Sequence, residues 1–242
     1  MTTSRVPAIE RDWALFLDLD GTLLDIAPTP DAVVVPDGLV ATLQDLSGRL
    51  DGAVALVTGR ARAVADSLLA PLTLPGGFGH AAELRGAAGR IGGDDDIPPL
   101  PAEWAERLAQ QVADWRDVIL EVKPHGLALH YRAGPQHREE IRDTLVALLR
   151  GREDDFALLP AHMAFEIRPR AATKARAVRA LMRSAPFLGR RPVFIGDDVT
   201  DEDGMAAARD LGGLGLHVGR DFRGGPQEVR AWLAQGIRHA AP

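Results

Sequence analysis

Five short and almost uniformly apolar runs, Trp13–Leu19, Ala53–Val57, Leu74–Phe78, Pro192–Ile195 and Leu214–Val218, limit the folds open to this chain. Each is too short and too evenly apolar for an amphipathic helix, so each reads as a strand buried on both faces, and several end in Gly or Asp turn chemistry. Between and after them, apolar residues recur at helical spacing: Leu39, Leu43, Leu46 and Leu50, then Val178, Leu181 and Met182, then Val229, Trp232, Leu233 and Ile237. Strands alternating with helices predict an α/β fold. Its parallel sheet is covered on both faces, and its reactive residues gather beyond the carboxyl ends of the strands.

The middle of the chain breaks this pattern. Gly86–Pro101 is rich in Gly, Asp and Pro and reads as a junction. A helix carrying Trp104, Leu108, Val112 and Trp115 follows, then strand-like Val118–Val122 and Leu127–Arg132, a helix with Ile141, Leu145, Leu148 and Leu149, and a last strand over His162–Arg168. This predicts an antiparallel α+β unit inserted within the α/β domain, which a length of 242 residues can accommodate. Alternation places Val118, Leu120 and Val122 opposite Glu121 and Lys123. It likewise places Leu127, Leu129 and Tyr131 opposite His130 and Arg132, and Met163, Phe165 and Ile167 opposite Glu166 and Arg168. One face is therefore apolar and can be covered by the two helices. The other is either a solvated sheet face or a hydrogen-bonding surface suited to hydroxyls.

Charge and composition narrow the partners. With 28 basic against 34 acidic residues the net charge is −6, which argues against nucleic acid or an anionic membrane as the main partner. Cys 0 removes disulfides, thiolate nucleophiles and thiolate-bound zinc. The opening MTTSRVPAIERDW has no apolar signal-peptide core, and no run approaches the ~18 apolar residues of a membrane span, so a soluble, cytoplasmic protein is expected. No heptad run or amphipathic tail points to a scaffold, and a monomer is expected.

Chemistry concentrates at strand ends. Leu17-Asp18-Leu19-Asp20-Gly21-Thr22 closes the first run with two acids at i and i+2. Like charges ~4 Å apart cost roughly 1–4 kcal/mol at effective dielectrics of 80 to 20, a cost that a cation or a proton relieves. Gly21 allows a tight turn and Thr22 a local hydrogen bond, although an ordinary Asp-Gly turn would look the same. The fourth run ends in Gly196-Asp197-Asp198-Val199-Thr200-Asp201-Glu202-Asp203, with five acids in seven positions. A helix N-terminus accounts for Asp201 to Asp203 but not for a second cluster on the first strand. Carboxylate and carbonyl oxygens favour a hard cation such as Mg²⁺. Val57-Thr58-Gly59-Arg60 offers a hydroxyl and backbone N–H groups near a helix start, and Thr173-Lys174-Ala175-Arg176 opens a helix with a lysine.

In that order, Asp-x-Asp, Thr, Lys and Gly-Asp-Asp, the chain resembles the haloacid dehalogenase-like phosphohydrolase superfamily over essentially its whole length. The resemblance implies a Rossmann-like core, residues 1–97 and 169–242, with an inserted α+β cap at 98–168. It further implies Mg²⁺-dependent phosphoryl transfer to an aspartate. By position, Asp18 matches the nucleophile and Asp20 the general acid/base. Thr58 and Lys174 match the groups that hold phosphoryl oxygens, with Gly21, Gly59 and Arg60 lining the same pocket. Asp197 matches the direct metal ligand beside Asp18 and the Asp20 backbone carbonyl, with Asp201 in the outer shell and Asp198 beside it.

Within the superfamily, Gly196 to Glu202, Glu121-Val122-Lys123, Leu129-His130-Tyr131-Arg132 and Glu166-Ile167-Arg168-Pro169 resemble the trehalose-6-phosphate phosphatase family. That family grips the distal glucose with a Glu, a Lys and a second Glu of the cap, here Glu121, Lys123 and Glu166, with His130 and Arg132 on the same polar face. A small-molecule sugar phosphate is the implied partner. Two departures stand out: His80-Ala81-Ala82-Glu83 has Ala where Gly is usual, and Ala175 follows the motif lysine where Gly is frequent. The added methyls could narrow a substrate channel or be absorbed by small backbone shifts, and Glu83 either closes a hairpin or meets the sugar. Alternative substrates are sucrose phosphate or a glycosyl phosphoglycerate, and an alternative class is a non-catalytic sugar-phosphate sensor.

Overall fold

The computed structural model describes residues 6–27, 29, 32–90, 97–161 and 163–238. In chain order it runs β1 (Trp13–Leu17), α1 (Leu39–Arg49), β2 (Val54–Val57), α2 (Arg62–Leu68), β3 (Gly76–Phe78), β4 (Glu83–Gly86) and β5 (Gly89–Arg90). There follow α3 (Ala102–Val112), β6 (Ile119–Lys123), β7 (Gly126–His130), α4 (Arg138–Leu149), β8 (Phe156–Ala161) and β9 (Ala164–Pro169). The last stretch is α5 (Lys174–Leu181), β10 (Arg191–Gly196), α6 (Asp201–Asp210), β11 (Leu214–His217), the single turn α7 (Val218–Asp221) and α8 (Pro226–Arg238). Two compact units result, one from residues up to 92 together with 173 onward, the other from 93–172.

The first unit is built on a seven-stranded sheet in the order β11-β10-β1-β2-β3-β4-β5. The first five are parallel to one another, and β4 and β5 extend the sheet in antiparallel pairing from β3. Every residue of β1 and β2 is buried, which is why these strands read as unbroken apolar runs rather than alternating ones. From β1 the order runs one way through α1 to β2, and from β10 the other way through α6 to β11. Right-handed crossovers in opposite directions put α1 and α6 on opposite faces. The point where the order reverses lies between β1 and β10, and that is where a sheet of this kind opens a crevice at its carboxyl edge.

The register carries the site. Trp13 pairs with Arg191 and Leu17 with Ile195, so the two strands stop within one residue of each other, and Asp18 N–H continues the ladder to the Ile195 carbonyl at 3.0 Å. On the other side Leu17 pairs with Leu56, and Thr58 N–H donates to the Gly77 carbonyl at 2.9 Å. Asp18, Thr58 and Asp197 are thereby the first residues past three adjacent strand ends, in strands spaced ~4.8 Å apart.

The second unit is a four-stranded antiparallel sheet, β6-β7-β9-β8. Its apolar face carries Leu127, Leu129, Tyr131, Phe165 and Ile167, packed with Trp104 and Leu108 of α3 and Ile141, Leu145, Leu148 and Leu149 of α4. Two expectations need correction here. Val122, placed on the covered face by alternation, is 56% exposed, because β6 is an edge strand and only Val118 and Leu120 join the cluster. β8 has no counterpart in the sequence reading: Phe156-Ala157-Leu158-Leu159-Pro160-Ala161 shows no alternation and contains a proline, which an edge strand tolerates. The expected strand over His162–Arg168 is β9, which starts at Ala164; His162 lies outside the described residues.

Candidate active site

Four charged side chains, at the ends of β1 and β10 and the starts of α5 and α6, meet at the carboxyl edge of the parallel sheet. Lys174 Nζ donates to Asp18 Oδ1 at 2.7 Å and to Asp201 Oδ1 at 2.6 Å. Asp18 is 4% exposed, Lys174 3% and Asp201 0%. One carboxylate oxygen each from Asp18, Asp197 and Asp201 lie within 4.8 Å of one another. A lysine at the first position of a helix works against the helix dipole, so its place at the start of α5 is set by the two carboxylates and not by the helix. The helix itself is capped by Thr173, whose hydroxyl accepts from Arg176 N–H at 3.2 Å.

The loop after β1 is shaped to bring these acids together. Gly21 has φ of 81°, and a Cβ on it would stand 2.1 Å from Asp197 Oδ2. Only glycine admits both that backbone and that approach. Thr22, expected to bond locally, is fully buried and its hydroxyl donates across the sheet to Asp197 Oδ1 at 3.4 Å. The reason is the tight turn at Gly21, which points the threonine back over the end of β10.

Electrostatics follow from burial. With three carboxylates around one ammonium, the cluster carries an excess of two negative charges. Burial, reinforced by the charges of Asp201 and Asp197 and opposed by Lys174, pushes the Asp18 carboxyl up to about 8. Burial first, then Asp201 and Asp198, push Asp197 up to about 6. Asp201 is also raised by burial, against the pull of Lys174. For Lys174 burial alone would favour the neutral amine, but Asp18 and Asp201 outweigh it and hold the ammonium above the ordinary lysine value. Such a site accepts either protons or a divalent cation. Its donors are all carboxylate oxygens, the ligand class that hard cations take, and its excess charge matches one divalent ion.

The other acids of the sequence motifs have different partners. Both Asp201 oxygens are engaged, Oδ1 by Lys174 and Oδ2 by the Asp197 and Asp198 N–H groups at 3.1 Å each. Asp198 is exposed and lies outside the three-carboxylate group; its Oδ1 accepts from Thr200 N–H and hydroxyl at 2.7 Å and from Asp201 N–H at 3.2 Å, so it caps the start of α6. Burial opposes its ionisation, but Lys174 and the Thr200 bonds outweigh it and hold this carboxyl below the usual range. The Asp20 side chain also stands apart from the group and meets Arg60, whose Nε and Nη2 donate to its two oxygens at 2.7 Å each. Thr58, 1% exposed, accepts the Arg60 N–H at 3.1 Å.

The two departures from the family pattern, Ala81 in the neighbouring loop and Ala175 in α5, both meet the core. Ala81 takes a left-handed φ of 70° yet is completely buried in the core, so its methyl is absorbed there and narrows no channel. Left-handed alanine costs roughly 1–2 kcal/mol, against ~0.8 kcal/mol gained by burying a methyl. Arg176 donates to the Ala81 carbonyl and braces the turn. Ala175 packs against the same core. Glu83 begins β4 opposite Phe78 and pairs with Arg62, so it closes the hairpin. Gly59 is small because His80 lies over it: a Cβ there would meet His80 Nε2 at 2.7 Å.

On the polar face of the inserted unit, Lys123 Nζ donates to Glu166 Oε1 at 3.0 Å, and His130 Nε2 lies 2.9 Å from Glu121 Oε2. Lys123 is on β6 and Glu166 on β9, with β7 between them. The bridge can form because β7 presents only Gly126 and Ala128 at those rows. Arg132 follows β7 and is exposed.

Comparison with known proteins bears on these arrangements. The family model described as trehalose-phosphatase matches residues 16–228. A probable trehalose-phosphate phosphatase of Sinorhizobium fredii is 44% identical over 211 residues, 86% of this chain and 78% of the relative. The trehalose-6-phosphate phosphatase of Escherichia coli is 40% identical over 240 residues, 95% of this chain and 88% of that one. In fold, the C-terminal domain of C. albicans trehalose-6-phosphate phosphatase superposes with a TM-score of 0.73 at 17% identity, over 97% of this chain and 98% of that domain.

Proposed function

Because the chain belongs to the trehalose-phosphatase family, phosphoric monoester hydrolases by activity, we propose that it hydrolyses trehalose 6-phosphate to trehalose and phosphate through a phosphoryl group carried on Asp18. The observation that supports this most is the meeting of Asp18, Asp197 and Asp201 around Lys174, from stretches of sequence some 180 residues apart. An ordinary sheet edge has no reason to bury so much like charge. It is accounted for by a site that must bring a dianionic phosphate against a carboxylate nucleophile.

Asp18 attacks phosphorus, and the ester oxygen leaves with a proton from Asp20. Water then attacks the phosphoryl-Asp18, giving its proton to Asp20 and releasing inorganic phosphate, so one hard displacement becomes two easier ones. Lys174 and Thr58 hold phosphoryl oxygens, and Lys174 also offsets the charge of the nucleophile as the substrate approaches. Mg²⁺ fits the donor set and would be held by Asp18 and Asp197 directly, with the Asp20 backbone carbonyl beside them and Asp201 behind. When bound it supplies the positive charge that screens nucleophile and phosphate from each other.

The inserted unit is read as the cap that recognises the sugar. Glu121, Lys123 and Glu166 share one face of this sheet as charged hydrogen-bonders matched to hydroxyls, and a site built this way rejects substrates that leave its polar groups unpaired. Replacing Glu121, Lys123 or Glu166 singly by Ala is expected to lower kcat/KM on trehalose 6-phosphate by roughly 10–100-fold, the worth of one charge-assisted hydrogen bond. Turnover of p-nitrophenyl phosphate, which has no sugar, should fall far less. Equal losses on both would assign these residues to folding.

A panel of trehalose 6-phosphate, sucrose 6-phosphate, a glucosyl phosphoglycerate and glucose 6-phosphate, followed by phosphate release, tests the substrate. The reading requires trehalose 6-phosphate to be turned over far faster than the rest. Similar rates on all four, or none on trehalose 6-phosphate, reject it.

A further inference from the structure

Arg60 sits in the motif that resembles a phosphoryl-binding loop, yet its guanidinium is turned toward a protein carboxylate. Nε and Nη2, one complete edge of the fork, each bond an Asp20 oxygen at 2.7 Å, and the Arg60 side chain is only 13% exposed. The loop that carries it is pinned twice. Arg60 N–H donates to Thr58 Oγ1 at 3.1 Å, and the Arg60 carbonyl accepts from Gly79 N–H at 2.9 Å. A two-point clamp of this geometry fixes a carboxylate in position and in plane, which a lysine cannot do. The Asp20 side chain is 39% exposed, so without such a partner it could take other rotamers.

From this geometry we infer that Arg60 is a positioning residue for Asp20, holding its carboxylate where it receives the proton of the water that attacks phosphoryl-Asp18. The inference rests on the roles of Asp18 and Asp20 set out above. An arginine only donates, so in this arrangement both Asp20 oxygens act as acceptors. In that step the water oxygen bonds to phosphorus. The bond from phosphorus to the Asp18 oxygen breaks, with its electron pair returning to the carboxylate, and the water proton passes to Asp20. The same proton then serves the next ester oxygen to leave.

The test is stopped-flow hydrolysis of p-nitrophenyl phosphate by Arg60→Ala and Arg60→Lys, with circular dichroism to confirm the fold. Nitrophenol needs no proton to leave, so loss of the clamp slows only the water step. Each variant should release a burst of about one nitrophenol per active site, then turn over slowly. In Arg60→Ala, kcat should fall about tenfold or more with KM falling alongside, leaving kcat/KM within about threefold of the parent. Arg60→Lys, which keeps the charge and is the milder change for folding, should shift the same way by less. A raised KM with lowered kcat/KM and no burst would place Arg60 on the substrate, and unaltered kinetics would leave it no task; either overturns the inference. A burst that survives Asp18→Asn strikes the nucleophile instead, and a parent enzyme inactive on trehalose 6-phosphate strikes only the substrate.

Discussion

Asp18→Asn is expected to abolish phosphate release from trehalose 6-phosphate, by at least about three orders of magnitude, while the protein stays folded. Asparagine keeps the shape of the side chain and an oxygen for the Lys174 bond of 2.7 Å, so β1, α5 and the packing between them have no reason to change. What disappears is the nucleophile. The same substitution has a second consequence opposite in sign. It removes one of three buried carboxylates from a cluster with a single ammonium, and repulsion between like charges falls. In EDTA at pH 8 the variant should therefore melt at a higher temperature than the parent. Phosphate release that persists, with circular dichroism and melting unchanged, would remove Asp18 from the chemistry.

Removal of divalent metal should be nearly as severe. Chelation is expected to stop turnover and addition of Mg²⁺ to restore it. The stabilising effect of the ion should also depend on pH in a direction set by the acids that hold it. Without metal, burial raises the Asp18 carboxyl to about 8 and Asp197 to about 6, against 3.8 for both ordinarily. The folded state then holds more protons than the unfolded chain between about pH 4 and 8, so stability of the metal-free protein falls as pH rises through that window. A divalent ion replaces those protons. Its benefit should be small at pH 5.5, where protons compete, and large at pH 8.5. At a hundredfold excess over the dissociation constant it amounts to ~2.7 kcal/mol, or about 5–10 °C in Tm for a protein of this size. Equal increments in Tm at the two pH values, in differential scanning fluorimetry, would argue that the ion binds elsewhere.

The parallel sheet was legible because its strands are buried on both faces. Trp13–Leu17 and Val54–Val57 leave no polar residue to confuse the period. The edges were not. β8 holds Pro160 and pairs on one side only, and Val122 on β6 looks like a core residue but meets solvent, because alternation reports which face a residue takes and not whether that face is covered. Within the site, the acids were legible as clusters at strand ends, and parallel register does the rest by bringing Asp18 and Asp197 to the ends of neighbouring strands, one residue out of step. Side-chain direction was beyond reach. Nothing in the spacing of Asp20 and Arg60 says that the two clasp, or that Thr22 reaches across to Asp197, since both depend on the turn made by Gly21. Asp198 and Asp201 are three residues apart in one acidic run. The helix that begins between them turns one into an exposed cap and the other into a wholly buried partner of Lys174.

The pairing of Trp13 with Arg191 also governs how the molecule comes into being. The strand bearing Asp18 leaves the ribosome well ahead of β10, with which it must pair. Until then β1 has β2 for a neighbour and a bare apolar edge on its other side, open to wrong partners. Closing so long a loop adds little to its entropic cost, since that grows only with the logarithm of length, but it delays assembly until β10 has been translated. Nascent chains halted before Asp197 would lack the acids that follow β10 and open α6, so hydrolytic competence arrives in one step with that segment instead of accruing by stages.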